Sequence, residues 1–201
     1  MIVASACSAS SDIEGAGVAL DPAVDDERQS VPGYTRHAID ASRASIAVPE
    51  DWMHIESRDD LDALLTEGVA AEDLRIDPAA VSAVVEPGGF FAVGESGANV
   101  SALAVPADEV PNDVAAYVEA AEAQFVASGF DAVDVTGSTS SVDGREGLDV
   151  RGSYRLFDQE VRAIQSVVFD DDTAYVITVT TFSTRTDALA DDIISTFDIA
   201  D

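Results

Sequence analysis

The stretch from Asp143 to Phe182 constrains the fold most, because apolar and polar residues alternate along it in segments separated by turn signals. Positions 148, 150, 152, 154 and 156 carry Leu, Val, Gly, Tyr and Leu, whereas the intervening positions carry Asp, Arg, Ser and Arg. A period of two places one set of side chains on a core and the other in water. The pattern predicts three consecutive antiparallel strands.

Two tight turns predict the register of these strands. A two-residue loop at Asp158-Gln159 would pair Leu156 with Val161. The further inward pairs would be Tyr154 with Ala163, Val150 with Val167, and Leu148 with Phe169. Asp143-Gly144 is a type I′ turn signal, since both residues tolerate positive φ. It would place Val135 opposite Gly152 and Val133 opposite Tyr154, so both turns bury the same face.

A third hairpin is expected at Asp170 to Thr173, and its register stays open. A three-residue loop would direct Tyr175, Ile177 and Val179 to the core. A two-residue loop would instead direct Val176, Thr178 and Thr180 there, because a shift of one residue moves every side chain to the other face.

The rest of the chain predicts an α+β domain. Strands are expected at 45–48, 53–55, 90–93, 100–105 and 132–140. Helices are expected around Leu61 to Leu65, after Asp77-Pro78 as N-cap and first helical residue, after an Asn112 cap, and from about Thr186. Trp52, the single tryptophan, is interpreted as a core anchor.

The charge excludes several function classes. The chain has 39 acidic residues against 10 basic ones, all arginine, which gives a formal net charge of −29. Such a field repels phosphate backbones and anionic headgroups, so we expect no nucleic-acid binding and no direct membrane contact.

The hydrophobic content of 47% is sufficient for one core. We expect a soluble monomeric domain behind a tail.

The N-terminus suggests a lipid anchor. Residues 1–7 end in Ala4-Ser5-Ala6-Cys7, which is typical of the end of a bacterial lipoprotein signal, with Cys7 as the lipidated residue. Residues 8–44 are acidic and lack a helical or strand period, which predicts a disordered linker. The alternative is a cytosolic protein in which Cys7 is an incidental free thiol. With one cysteine, an intramolecular disulfide is excluded.

Residues 45–201 resemble the PsbP-like family. The resemblance rests on IAVPEDW at 46–52, on a long helix that leads into a strand meander, and on STFDI at 195–199. It implies an α/β/α sandwich around a mainly antiparallel sheet. The chain is also similar to actinobacterial envelope lipoproteins of the LpqN type. Known members are mostly binding or assembly factors without a catalytic site, so the resemblance implies no catalytic residue and no cofactor.

Motifs for common chemistry are missing from the sequence. It contains no GxSxG, HExxH, Walker or GxGxxG motif, and no EF-hand loop. A nucleophile with a histidine base could use only His37 or His54, with Ser57 or Ser96 as the hydroxyl. We interpret His37 as a solvated linker residue. No metal site is expected.

Four arginines fall within eighteen positions, at Arg145, Arg151, Arg155 and Arg162. In the predicted register Arg155 lies opposite Arg162, with Arg151 on the same face. Guanidinium groups suit carboxylates and phosphates, so this face is a candidate site for an anion or an acidic partner. The alternative is that these arginines only neutralise neighbouring acids such as Asp149 and Glu160.

The sequence therefore predicts a lipid-anchored, extracytoplasmic, non-catalytic binding or assembly module on the cell membrane. Its partner would be an unknown envelope protein. One alternative is a carrier of a small anionic ligand, with a pocket near Trp52 and the arginines. A second alternative is a hydrolase, which would require His54 to be hydrogen-bonded to a hydroxyl or carboxylate inside a cleft.

Overall fold

The computed structural model describes residues 31–39, 43–66, 77–94, 97–127, 131–142, 144–156, 159–182 and 187–200. Helices in this part of the chain are α1 (Arg58–Thr66), α2 (Pro78–Val85), α3 (Val114–Ala127) and α4 (Asp187–Ser195). Strands are β1 (Tyr34–Ala38), β2 (Ala44–Pro49), β3 (Met53–Ile55), β4 (Phe90–Val93), β5 (Asn99–Pro106), β6 (Asp131–Val142), β7 (Arg145–Leu156), β8 (Gln159–Asp170), β9 (Thr173–Thr181) and β10 (Asp198–Ile199).

The strands form two antiparallel sheets. The larger sheet has seven strands in the order β3-β4-β5-β9-β8-β7-β6, and the smaller one has the order β1-β2-β10. The three consecutive strands predicted from the alternating pattern are β7, β8 and β9, and they are neighbours in the large sheet. The large sheet therefore ends at β3 on one side and at β6 on the other.

Both faces of the large sheet are covered. Phe90 and Ile177 on one face pack against Ile46 of the small sheet and against Ile193 and Phe197 at and after α4. The opposite face packs against α3 over β6, β7 and β8, and against α1 and α2 over β3, β4 and β5. This arrangement confirms the predicted α/β/α sandwich, with the small sheet sharing one outer layer with α4.

The register between β7 and β8 differs from the predicted one by two residues. Leu156 pairs with Gln159, so the two-residue connection lies one position earlier than expected. Tyr154 therefore lies opposite Val161, and Val150 lies opposite Gln165. A shift of two keeps each side chain on its predicted face, because side chains alternate with a period of two. Tyr154 and Val150 are buried as expected, with 0% and 2% exposure.

The same shift corrects the predicted arginine pair. Arg155 lies opposite Glu160, and Arg162 lies opposite Ser153. Like charges directly opposite each other destabilise an antiparallel pair, whereas opposite charges stabilise it by ~0.2–1 kcal/mol. The observed register thus replaces an unfavourable Arg155–Arg162 pair with a favourable one.

The hairpin between β6 and β7 agrees with the prediction except at one point. Val142 pairs with Arg145 and Val135 with Gly152, as the Asp143-Gly144 turn requires, and Gly144 has φ of +73°. The predicted pair of Val133 with Tyr154 is wrong, because a bulge between Ala132 and Asp134 places Ala132 opposite Tyr154. A bulge inserts one extra residue into one strand.

The third hairpin has a two-residue loop. Asp170 pairs with Thr173, and Asp171 takes the positive φ of 52°. Tyr175 and Val176 lie on opposite faces of β9, and each belongs to a core cluster, because both faces of this strand are buried. The choice between an inner and an outer face does not apply to this central strand.

Two boundaries in the rest of the chain need correction. Tyr34–Ala38, which lie inside the segment 8–44 interpreted as a disordered linker, form strand β1 and pair with β2. The cap of α3 is Asp113 rather than Asn112, since Asp113 Oδ1 accepts from the amides of Ala115 and Ala116 at 3.0 and 3.1 Å. Residues 1–30, including Cys7, lie outside the described residues.

Candidate functional site

Arg151 and Arg162 lie together on an open groove of the large sheet, which we call the arginine groove. They occupy the face opposite to Tyr154, since odd residues of β7 and even residues of β8 share that side. The groove has a volume of about 160 Å³. It is lined by Asp134 and Thr136 of β6, Arg151, Gly152 and Ser153 of β7, and Arg162, Ala163 and Ile164 of β8.

Each of these two arginines has an acidic neighbour. Arg151 Nη2 donates to Asp191 Oδ1 of α4 at 2.6 Å, and Arg162 Nε donates to Glu160 Oε1 at 3.0 Å. Both pairs are substantially exposed, so each contributes little to stability. Asp191 is the one hydrogen-bonding and ion-pair partner of the Arg151 guanidinium among the described residues, and a guanidinium carries further N–H donors.

The other two predicted site arginines are placed differently. Arg145 Nε donates to Asp170 Oδ1 at 3.0 Å, and Arg43 Nη2 donates to Asp170 Oδ2 at 3.2 Å. This pairing ties the start of β7 to the end of β8 and to the residue before β2. Arg155 occupies the face of Arg151 by its register position, but its side chain lies outside the described residues. Of the four predicted arginines, therefore, Arg151 and Arg162 are the two whose described side chains lie together in the groove.

A second site, the histidine cleft, corrects the interpretation of His37 as a solvated linker residue, because His37 lies in β1 and packs against His54. His37 of β1 and His54 of β3 bring their ring centroids to 4.5 Å, and Phe90 lies 5.3 Å and 4.7 Å from them. The cleft has a volume of about 460 Å³ and opens between the two sheets. It is lined by Arg36, His37, Ala38, His54, Glu56, Gly88, Gly89 and Phe90.

Burial lowers the pKa of both imidazoles and so favours their neutral form. Desolvation lowers the pKa of His37, and the nearby His54 lowers it further, while Glu56 opposes the shift. Desolvation also lowers the pKa of His54, against the opposing charges of Glu56 and Asp60. His54 Nδ1 lies 3.3 Å from Glu56 Oε1. Arg36 Nη1 is held by Ser45 Oγ at 2.9 Å and by the Thr196 carbonyl at 3.0 Å.

The cleft meets only part of the hydrolase requirement. His54 does have a carboxylate neighbour, yet none of the described lining residues supplies a hydroxyl or thiol nucleophile. Ser57 instead caps α1, because its Oγ accepts from the Asp60 amide at 3.2 Å and donates to Asp60 Oδ2 at 2.8 Å. Ser96 lies outside the described residues. Trp52 is partly buried against the core, in agreement with its interpretation as an anchor.

The described residues contain neither a metal-binding cluster nor a helix that could span a membrane. No group of three or more His, Cys, Asp or Glu residues there could hold a metal ion. None of the helices in that part of the chain is long and apolar enough to cross a membrane.

Comparisons with known proteins give matches in structure only. No protein-family model matches the sequence, and no curated protein does. CyanoP, the cyanobacterial PsbP of Synechocystis sp. PCC 6803, has a TM-score of 0.52 at 13% identity, covering 90% of this chain and 100% of that one.

Two further solved structures match with lower TM-scores. The Ran-binding protein Mog1p of Saccharomyces cerevisiae has a TM-score of 0.49 at 11% identity, covering 84% of this chain and 96% of that one. LpqN of Mycobacterium tuberculosis, involved in cell envelope biogenesis, has a TM-score of 0.38 at 16% identity, covering 86% and 88%. At such identities a likeness concerns architecture alone. The match to CyanoP shows that the fold of this chain is PsbP-like, as the resemblance in sequence implied.

Proposed function

We propose that this chain is a non-catalytic binding domain held at the extracytoplasmic face of a membrane by a lipid on Cys7, and that its arginine groove receives carboxylates of a partner protein. The observation that carries the proposal is the convergence of Arg151 and Arg162 on one open groove of an acidic protein. Arg151 is 46% exposed and keeps donors that Asp191 does not occupy. Guanidinium groups bind carboxylates in a directional way.

A charge reversal with a matched control tests the groove. The double variant Arg151→Glu/Arg162→Glu should lose the partner that the wild-type domain captures from an envelope extract. Arg58→Glu is the control, because Arg58 is 62% exposed, is paired with Glu86 at 3.0 Å and lies on α1 outside the groove. Circular dichroism should show that all three proteins are folded. Equal capture by the double variant and by the control would refute the assignment.

The anchor has a separate test. Small residues before Cys7 and the acidic segment behind it support lipidation followed by a tether that holds the domain away from the surface. The intact mass of the protein isolated from its native membrane should include a diacylglycerol group on Cys7. A mass that corresponds to a free thiol would rule out the anchor without affecting the groove.

The histidine cleft supports a second candidate function, the carriage of a small anionic ligand. Arg36, His37 and His54 all line it, and an anion bound there would favour protonation of both imidazoles. A thermal-shift screen with anionic metabolites should therefore give larger stabilisation at pH 5.5 than at pH 7.5. Ligands that stabilise His37→Gln/His54→Gln as much as the wild type would exclude this cleft.

A further inference from the structure

The outer edge of β6 is an unpaired strand edge to which another strand could add. β6 is twelve residues long and ends the large sheet, where it pairs with β7. No backbone group on its outer side is bonded to any of the described residues. Unpaired N–H and C=O groups along an edge form a template for pairing with another chain.

This edge lacks the usual protection over most of its length. Natural edge strands are commonly guarded by charged residues, prolines or bulges. The bulge at Ala132/Asp134 disfavours the addition of a strand at one end of β6. From Val135 to Val142 the sequence is VTGSTSSV, which contains no charged residue and no proline, and residues 136–139 are exposed. Eight residues are enough for a complete strand pairing.

The hairpin identifies the amides that face outward. Val142 and Arg145 close the two-residue loop, so they form a hydrogen-bonded pair. Hydrogen-bonded and non-hydrogen-bonded pairs alternate along an antiparallel ladder, so inward and outward amides alternate as well. The amides of Val135, Gly137, Thr139 and Ser141 therefore point away from β7.

The open edge adjoins the arginine groove. Thr136 of β6 lines that groove together with Arg151 of β7 and Arg162 of β8. An added strand would lie ~10 Å from β7, since neighbouring strands are ~4.8 Å apart. Half of its side chains would project over the groove face, where a carboxylate could approach the guanidinium of Arg151.

We propose that the partner supplies an extended segment that adds to β6 as an eighth strand, with acidic side chains at alternate positions directed to the arginine groove. This inference rests on the proposed function and specifies how the groove is used. A partner of another sequence is favoured over a second copy of this chain, because two copies each with a formal charge of −29 repel one another.

Two capped decapeptides test the proposal, one alternating threonine with aspartate and the other alternating threonine with serine. Measurements in ~0.5 M NaCl reduce the Debye length to a few ångströms, so distant acids are screened. The aspartate peptide should bind more tightly than the serine peptide to the full chain. It should also slow hydrogen exchange at Val135, Gly137, Thr139 and Ser141, and Arg151→Ala should remove the preference for aspartate.

Thr139→Pro provides the backbone test. It removes one outward amide and leaves the bonds to β7, so affinity for the aspartate peptide should fall at least tenfold. Thr139→Val keeps the amide and should bind within twofold of the wild type. The hydrogen-exchange readout needs no variant, so the test holds even if Thr139→Pro folds poorly.

Several outcomes would overturn strand addition. These are a peptide that does not bind, unchanged exchange at the four outward amides, or wild-type affinity in folded Thr139→Pro. Concentration-dependent dimers with the same amides protected in the absence of peptide would assign the edge to self-pairing. If Arg151→Glu/Arg162→Glu still loses the native partner while Thr139→Pro retains it, the groove binds but strand addition is wrong.

Discussion

The buried hydrogen bond between Tyr117 and Gln165 offers a quantitative test of the core. Gln165 is 5% exposed, and its Nε2 donates to Thr178 Oγ1 at 3.0 Å, while its Oε1 accepts from the Tyr117 hydroxyl of α3. Burial raises the pKa of Tyr117, so this hydroxyl remains a donor at neutral pH. Tyr117→Phe leaves a buried amide oxygen without its donor. We expect a loss of ~1–3 kcal/mol in the free energy of unfolding, because the desolvation of that oxygen is no longer compensated.

Urea unfolding followed by circular dichroism measures this loss. The midpoint should fall with an unchanged m value. Tyr34→Phe is the control, because Tyr34 lies at the partly exposed start of β1, and it should change stability by less than ~0.5 kcal/mol. Replacing both partners, as in Tyr117→Phe/Gln165→Leu, should recover much of the loss. A Tyr117→Phe protein as stable as the control would refute the view that Gln165 depends on this bond.

Three further predictions concern the histidines, the α3 contact and a helix end. Burial lowers the pKa of His37 and His54 below 6.5 in the folded state, so the unfolded chain binds protons first. Stability should fall as pH drops below ~6.5, and less so in His37→Gln/His54→Gln, as urea unfolding at several pH values would show. Gly137→Val should cost ~1–3 kcal/mol by overpacking, since a Cβ there would lie 2.4 Å from a methyl of α3, whereas Ser138→Val should be nearly neutral in the same assay. Thr196→Val should lower the thermal midpoint, because its buried hydroxyl accepts from a β2 amide at 2.9 Å.

The faces of β7 and β8 could be predicted from sequence, but their relative offset could not be read from apolar residues alone. Two-residue loops at 157–158 and at 158–159 bury the same side chains, because they differ by a full period of two. Charge pairs distinguish them, since the observed offset puts Arg155 opposite Glu160. Gln165 lies on the inward face in either offset, and Tyr117 satisfies its amide oxygen there. The offset between β7 and β8 could therefore have been predicted from the charged residues rather than from the apolar ones.

The histidine cleft could not be predicted because it depends on a long-range contact. β1 pairs with β2, and the small sheet then places His37 against His54 of the large sheet. Five residues of moderate hydropathy give little local strand signal. Tyr34–Ala38 therefore read as part of an acidic linker, although Ile39 beside them is fully buried. One local signal was Ile39, an apolar residue directly after the segment.

The charge of the chain determines the conditions under which either site can be studied. A net charge of −29 opposes the approach of any anion over a range set by the Debye length, which is ~30 Å at 0.01 M salt and ~8 Å at 0.15 M. A carboxylate in contact with Arg151 interacts at ~3 Å, well within that range, so salt screens its attraction less than it screens distant acids. At low ionic strength, repulsion by distant acids thus weakens the binding of an anion to such a surface, and moderate salt makes that binding measurable. A failure to bind an acidic peptide is therefore evidence against the anion site only at or above ~0.15 M salt, where short-range contacts dominate.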